Sequence, residues 1–470
     1  MVDRYSKFLL FLLIAFSSCR SDDDDLVLDG LLNPENGEEL SGGLSNTVFN
    51  TSRNSFGQRS PFLDGSNLDF IIGNSFFNQS WVSAPASTTA RDGLGPTFNA
   101  RTCSSCHSKD GRGQPPSFGG QISIGFLLRL SKLGVSVKGG PLADPNYGTQ
   151  LQDQSNSGVL KEGEFNISYT EIQGSFPDGE QYSLRDPTYT ITNLNFGPLT
   201  SGIMVSPRIG QQMIGLGLLE AIDEADILLK EDQFDTNGDG ISGKANYVWD
   251  FIENKSSLGR FGWKANQPSL LHQTAGAFIG DLGLTTIYFS NQNCPSPQLD
   301  CQQAAEGGTP EVETDDLNSV VLYVSNLAVP ARRNYDNQDI LKGKQLFNSI
   351  GCVSCHTPSH ITGNHPKFNN LTNQKIWPYT DLLLHDMGDG LADNRPDYLA
   401  DGNEWRTQAL WGIGLIETVN NHTFLLHDGR ARNIKEAILW HAGEAEQSKN
   451  LFKQLTATER ELLINFIKTL

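Results

Sequence analysis

The sequence predicts a mainly α protein of two domains, with a loop- and β-rich insertion in the first. Three observations carry that expectation. The pattern Cys-x-x-Cys-His occurs twice, as Cys103-Ser104-Ser105-Cys106-His107 and Cys352-Val353-Ser354-Cys355-His356, and divides the 470-residue chain. Apolar residues recur at helical spacing in the segments that lead into and follow these patterns. Between about 121 and 205 the texture changes to alternating apolar residues and turn signals. Length alone agrees with two to three domains.

Residues 1–18 combine a basic start at Arg4 and Lys7 with an apolar run from Phe8 to Phe16, then Ser17 and Ser18. That is the layout of a lipoprotein signal peptide with Cys19 as the lipidated residue. The run is too short to span a membrane. The acidic stretch Asp22 to Asp25 reads either as an export tag of surface lipoproteins or as a solvated linker. The expected location is the cell envelope, lipid-anchored, on the periplasmic side or the outer-membrane surface. Residues 19–65, rich in Gly, Asn and Ser, read as a flexible linker with little core.

The two Cys-x-x-Cys-His patterns have the spacing that fixes a c-type haem. Two thiols on one short turn reach both vinyl groups of the porphyrin, and the next residue brings its imidazole under the iron. A zinc half-site or a thiol redox pair would leave the histidine after both patterns unexplained. Cys103, Cys106, Cys352 and Cys355 are therefore the haem-binding thiols, with His107 and His356 as iron ligands, for two covalently bound haem c groups. Of the seven cysteines, Cys294 and Cys301 bracket a Pro-containing loop and in an oxidising compartment would close a local disulfide.

In the first domain, 66–330, Asp316 to Leu327 carries Leu317, Val320, Val321 and Val324 on one helical face and stops before Pro330. Phe165 to Tyr169 and Tyr189 to Thr192 alternate as β-hairpin strands in the insertion. In the second domain, 331–470, a helix from Gln338 to Ile350 runs directly into Cys352. It resembles the first helix of a class I cytochrome c, so the expected fold is a pair of cytochrome c-type haem domains. Thr456 to Glu459 is a capping-box pattern before Leu462, Leu463, Phe466, Ile467 and Leu470, a helix that would cross the first one.

Asp235, Asn237 and Asp239 put oxygen ligands at alternate positions, with Gly240 sixth, as in a calcium loop. The twelfth position is Asn246 rather than Glu, which leaves calcium and a tight Asx-rich turn as two open readings. With 35 basic against 54 acidic residues, a charge of −19 and no basic tract, nucleic acid is excluded as a partner. A small basic cytochrome would be steered toward such a surface.

Cys103 to Gly113, with its trailing Asp110-Gly111-Arg112-Gly113, and the stretch around His427-Asp428-Gly429 resemble the di-haem oxidoreductase family, also called thiol oxidoreductases. The likeness covers nearly all of the chain after Cys19. It implies a di-haem c-type oxidoreductase, peroxidase-like and related to bacterial di-haem cytochrome c peroxidases. Such an enzyme would reduce peroxide or another small oxidant at the N-terminal haem. Its electrons would be relayed through the C-terminal haem from a small donor such as a monohaem cytochrome c.

In those peroxidases a Trp lies between the haems, followed by a Gln and then an acid facing the peroxide; Trp263, Gln273 and Asp281 fall in a similar frame. The acid is two positions early and is Asp rather than Glu, and Ala277 replaces a Pro. The resemblance also implies a sixth ligand of the C-terminal haem after the helix Ile434 to Trp440. His441 stands there in place of Met and would lower that haem's potential, with Met387 in Leu384-His385-Asp386-Met387 as second choice. His360, His365 and His422 read as surface or loop residues. The N-terminal haem has no evident second protein ligand, since Met204 and Met213 lack a ligand context. Two other readings are a non-catalytic electron-transfer or redox-sensing cytochrome, and a surface oxidase acting on a protein or in iron handling.

Overall fold

The computed structural model describes residues 31–116 and 125–470. The signal peptide and Cys19 lie outside the described residues. The described chain is 28% helical and 20% strand, distributed over many small sheets, so it is not a mainly α cytochrome c fold. With 47 glycines and 21 prolines, helices are interrupted early, and the longest described helix, Ala457–Thr469, has 13 residues. The connections close instead as short paired strands and Asx turns. Periodicity identified several helices correctly but overestimated their share of the whole.

Behind each Cys-x-x-Cys-His turn, two helices cross at a glycine. The Asn67–Asn78 helix, capped by Ser66, meets Thr314–Ser325, where a Cβ on Gly73 would lie 2.0 Å from the Ser319 carbonyl oxygen. The Gln338–Ser349 helix, capped by Asn337, meets Ala457–Thr469, where a Cβ on Gly343 would lie 2.1 Å from the Leu462 carbonyl oxygen. The capping box of Thr456 with Glu459 forms as the sequence indicates. One turn after each glycine stands a phenylalanine. Phe77 is 6.2 Å, ring to ring, from His107, and Phe347 is 6.1 Å from His356. The close crossings thus set aromatic side chains beside both imidazoles. Asn67–Asn78 was not anticipated, because its apolar residues are spread around the helix rather than on one stripe.

The β-rich texture is real and is built mainly from two units. Phe126–Val135 pairs antiparallel with Met204–Ile209, and Glu164–Ser175 pairs with Gln181–Thr192 along its full length. The second unit is a long hairpin that reaches the other half of the chain. Arg185 donates to the carbonyls of Gly429 and Arg430, each at 2.8 Å, and the Tyr189 hydroxyl donates to Asp428 at 2.7 Å. At its tip, Asp178 and Glu180 pair with buried Arg460. Cys294 and Cys301 are joined as a disulfide.

Residues 31–65, expected as a linker, instead pack on the body. Glu38 is fully buried against Arg332 and Lys344, Phe56 is fully buried, and Thr47–Val48 pairs in parallel with Val329–Pro330. Their Gly, Asn and Ser residues make tight turns, a use that composition does not distinguish from flexibility. One continuous apolar core runs through both halves. Among the described residues no helix is long and apolar enough to cross a membrane.

Candidate functional site

Two cavities lie next to the two Cys-x-x-Cys-His turns. The first, about 190 Å³, is lined by Cys103, Cys106 and His107, and the second, about 210 Å³, by Cys352, Cys355 and His356. Cys103–Cys106 forms a single helical turn capped by the Thr102 hydroxyl. The second turn is entered through Gly351 at φ +87°, a conformation that favours glycine. In both, the histidine N–H donates to the carbonyl of the first cysteine at 3.0 Å, which places both thiols and the imidazole on one side of the turn.

The imidazoles are held alike. His107 Nδ1 faces the Gln211 carbonyl at 2.5 Å and His356 Nδ1 faces that of Tyr379 at 3.0 Å. A carbonyl only accepts, so Nδ1 carries the proton and Nε2 keeps its lone pair, the tautomer an iron ligand requires. Burial lowers the pKa of both, that of His356 to about 4, which keeps them neutral. Burial, with Asp281 adding to it, pushes the Cys103 thiol up to about 12, and burial likewise raises Cys352 to about 12. Protonated thiols are poor ligands for a bare ion. Among the described residues no cluster of three or more His, Cys, Asp or Glu is arranged for an ion. Two thiols on one turn, a lone-pair Nε2 and a mostly apolar cavity fit a haem at each site.

Trp263, Gln212 and Arg406 line both cavities. The Trp263 indole N–H donates to the Ile209 carbonyl at 2.9 Å, and the Arg112 guanidinium lies 5.3 Å over its ring. Gln273, Ala277 and Asp281 project from the Leu270–Asp281 helix into the wall of the first cavity. Gln150 donates to Asp281 Oδ1 at 2.9 Å. His272, one residue before Gln273, is turned about 100° around the helix axis. Its Nδ1 engages Gln267 at 2.6 Å, and its ring stacks on Phe251.

His441 and Met387 both line the second cavity. His441 follows the Ile434–Trp440 helix, and its Nδ1 faces the Ala437 carbonyl at 2.7 Å, which leaves Nε2 with its lone pair. His385 has no free nitrogen: Nε2 meets Asp381 at 2.8 Å and Nδ1 meets Glu444 at 2.6 Å. Burial opposes its charge, but Asp381 and its other polar neighbours raise its pKa well above the ordinary value. His427 is buried and stacked on Trp405, with centroids 3.9 Å apart. His360 and His365 are buried rather than superficial, bonded to the Thr380 carbonyl and to Glu220, and His422 bonds to the Arg112 carbonyl.

The Asp235 loop forms as an Asx-rich turn. Asp235 and Asp239 cap backbone N–H groups of Gly240 and Ile241, and Asn237 caps that of Asp239. Asn246, the twelfth residue, faces the core and bonds the Lys264 and Asp397 carbonyls. Among the described residues no group of three or more His, Cys, Asp or Glu is arranged there for an ion, so the calcium reading finds no support.

Several lining residues have no signal in the sequence: Arg129 and Arg208 in the first cavity, Trp405 in the second, and Arg406 between them. Their spacing matches no motif, because they converge from different strands and loops. Met213 also lines the first cavity, two residues beyond the carbonyl that holds His107.

No curated protein and no solved structure matches the chain. The family model described as "Di-haem oxidoreductase, putative peroxidase" matches residues 37–470, nearly all of the sequence, and the chain therefore belongs to the di-haem oxidoreductases.

Proposed function

We propose that this di-haem oxidoreductase reduces peroxide in the first cavity with electrons supplied through the second. Both haems would be haem c, thioether-linked to Cys103 and Cys106 and to Cys352 and Cys355, with His107 and His356 as iron ligands. When bound, they supply the redox chemistry, two electrons for each peroxide reduced to water. The observation that carries this reading is the asymmetry of the cavities. The second contains a further lone-pair imidazole, His441, and its acid, Glu444, is engaged through both oxygens by Ser242, His385 and Asp386. The described wall of the first has no histidine besides His107 and carries Asp281 with one oxygen unengaged by described residues.

Asp281 Oδ1 is fixed by Gln150, while Oδ2 accepts no hydrogen bond from the described residues. That oxygen takes the proton from one peroxide oxygen and returns it to the other, which turns the departing hydroxide into water. Trp263, locked by its bond to Ile209 in the common wall, bridges the two cavities with a rigid indole. The electron donor would be a small monohaem cytochrome c, and the protein would be lipid-anchored in the cell envelope.

Peroxide turnover with a reduced cytochrome donor tests this directly. Asp281→Asn is expected to lower turnover by about 100- to 10,000-fold with both haems retained; unchanged turnover would remove Asp281 from the mechanism. Met213 in the first wall favours one second reading, a redox sensor with both irons six-coordinate. Carbon monoxide added to the reduced protein separates them, since a spectrum unaltered at both haems contradicts the enzyme.

A further inference from the structure

Two buried guanidinium groups, Arg112 and Arg406, and a half-buried one, Arg129, surround the two cavities without a carboxylate partner among the described residues. Arg129, in the first wall, makes no ion pair and no side-chain hydrogen bond with a described residue; Asp281 and Asp397 act on it only at longer range. Arg112, in the second wall, donates to the Leu426 carbonyl at 3.3 Å, and its Nε is buried without a partner. Arg406, in the common wall, bonds only neutral acceptors: the carbonyls of Gly262 and Thr407 and the Gln408 side chain. The contrast with their neighbours is sharp. Arg208 and Lys264 share Asp393 at 2.9 Å each, and Arg395 holds Asp397 at 2.7 Å.

Burying a charge without a counter-charge costs several kcal/mol, so a cation left alone in a cavity wall marks the place of an absent anion. We propose that Arg129 and Arg112, with Arg406 between them, are the counter-charges for the porphyrin propionates of the first and second haem respectively. This rests on the di-haem reading. A porphyrin carries two carboxylates, and bidentate N–H pairs of an arginine match a carboxylate in geometry as well as charge. Arg406, at the wall shared by both cavities, can serve a propionate of either haem. The three residues would be positioning residues that orient each macrocycle and raise its potential, because a nearby cation disfavours the ferric form.

The test uses the full, haem-loaded protein with spectroelectrochemistry and resonance Raman. Arg129→Gln is expected to lower the midpoint potential of the first haem alone and to shift its propionate bending band, and Arg129→Lys to restore most of the potential. Arg112→Gln should do the same to the second haem alone, which keeps the test decisive should the Arg129 variants fail to mature. Unchanged potentials, or an equal shift at both haems from either variant, would overturn the assignment. Peroxide turnover is measured separately. Loss of activity in the wild type refutes the peroxidase reading and leaves the propionate assignment standing on the potentials.

Discussion

Gly343→Ala separates helix propensity from packing, because the two act in opposite directions at this position. Gly343 is inside the Gln338–Ser349 helix, where alanine would gain about 1 kcal/mol from propensity alone. The added methyl would stand 2.1 Å from the Leu462 carbonyl oxygen and 2.8 Å from the Phe466 Cβ. An unstrained carbon-to-oxygen contact needs about 3.3 Å, so the helices must part by about 1 Å. Because the obstacle is backbone, relief by a side-chain rotation is closed, and the overpacking cost lies at the upper end of about 1–3 kcal/mol. The net expectation is a loss of about 2 kcal/mol. Gly276, inside the Leu270–Asp281 helix, is the control: nothing lies within 4 Å of its would-be Cβ, so Gly276→Ala should gain about 1 kcal/mol. Denaturant unfolding of the haem-loaded proteins, followed by far-ultraviolet circular dichroism, measures both. The second haem's absorption should also shift in Gly343→Ala, since Phe347 sits one turn from the glycine and against His356. A Gly343→Ala protein as stable as wild type, or a Gly276→Ala protein equally destabilised, refutes the crossing as drawn.

Asp393 counters both Arg208 and Lys264; Asp393→Asn should destabilise the fold by about 3–5 kcal/mol, and a loss below 1 kcal/mol in the unfolding curve would contradict the pairing. Burial opposes the charge on Asp393, but Arg208 and Lys264 hold its pKa well below the ordinary carboxylate range. Its stabilisation is therefore complete above about pH 4 and lost as pH falls through the folded-state value, and the variant's acid unfolding should be correspondingly flatter. His441→Met is expected to raise the potential of the second haem with the first unmoved; an unchanged potential in a redox titration would exclude His441 as a ligand. Trp263→Phe should slow electron exchange between the haems by at least about tenfold, or about 1.4 kcal/mol in the barrier, with both Soret bands intact. Stopped-flow rates equal to wild type would take the indole off the path.

The legible part of the site is the part that is local in the chain. Cys103 to His107 and Cys352 to His356 each place two thiols and an imidazole within one turn, so spacing alone determines which atoms can meet. The same holds for the Thr456 capping box, for the helix that delivers His441, and for alternation in the Glu164–Ser175 hairpin. Gln273 and Asp281 were reached through the family resemblance rather than through periodicity, and the structure sets both on one helix lining the first cavity. The helix fraction was misread because apolar periodicity marks segments able to form helices, whereas the intervening loops fold by side-chain capping that has no period.

Sequence by itself determined the two thiol-thiol-imidazole turns, the helix periods beside them and the acidic balance, since each depends on residues within a few positions or on composition. Tertiary structure alone decided that residues 31–65 pack on the body rather than trail as a tether, and that Trp263 and Arg406 form the wall between the cavities. It also decided that Arg129 and Arg112 stand in those walls without a carboxylate partner among the described residues. The physical reason is that burial and charge compensation are set by which distant segments pack together. A guanidinium in the sequence is indistinguishable from any other until the fold shows whether a carboxylate has come to meet it.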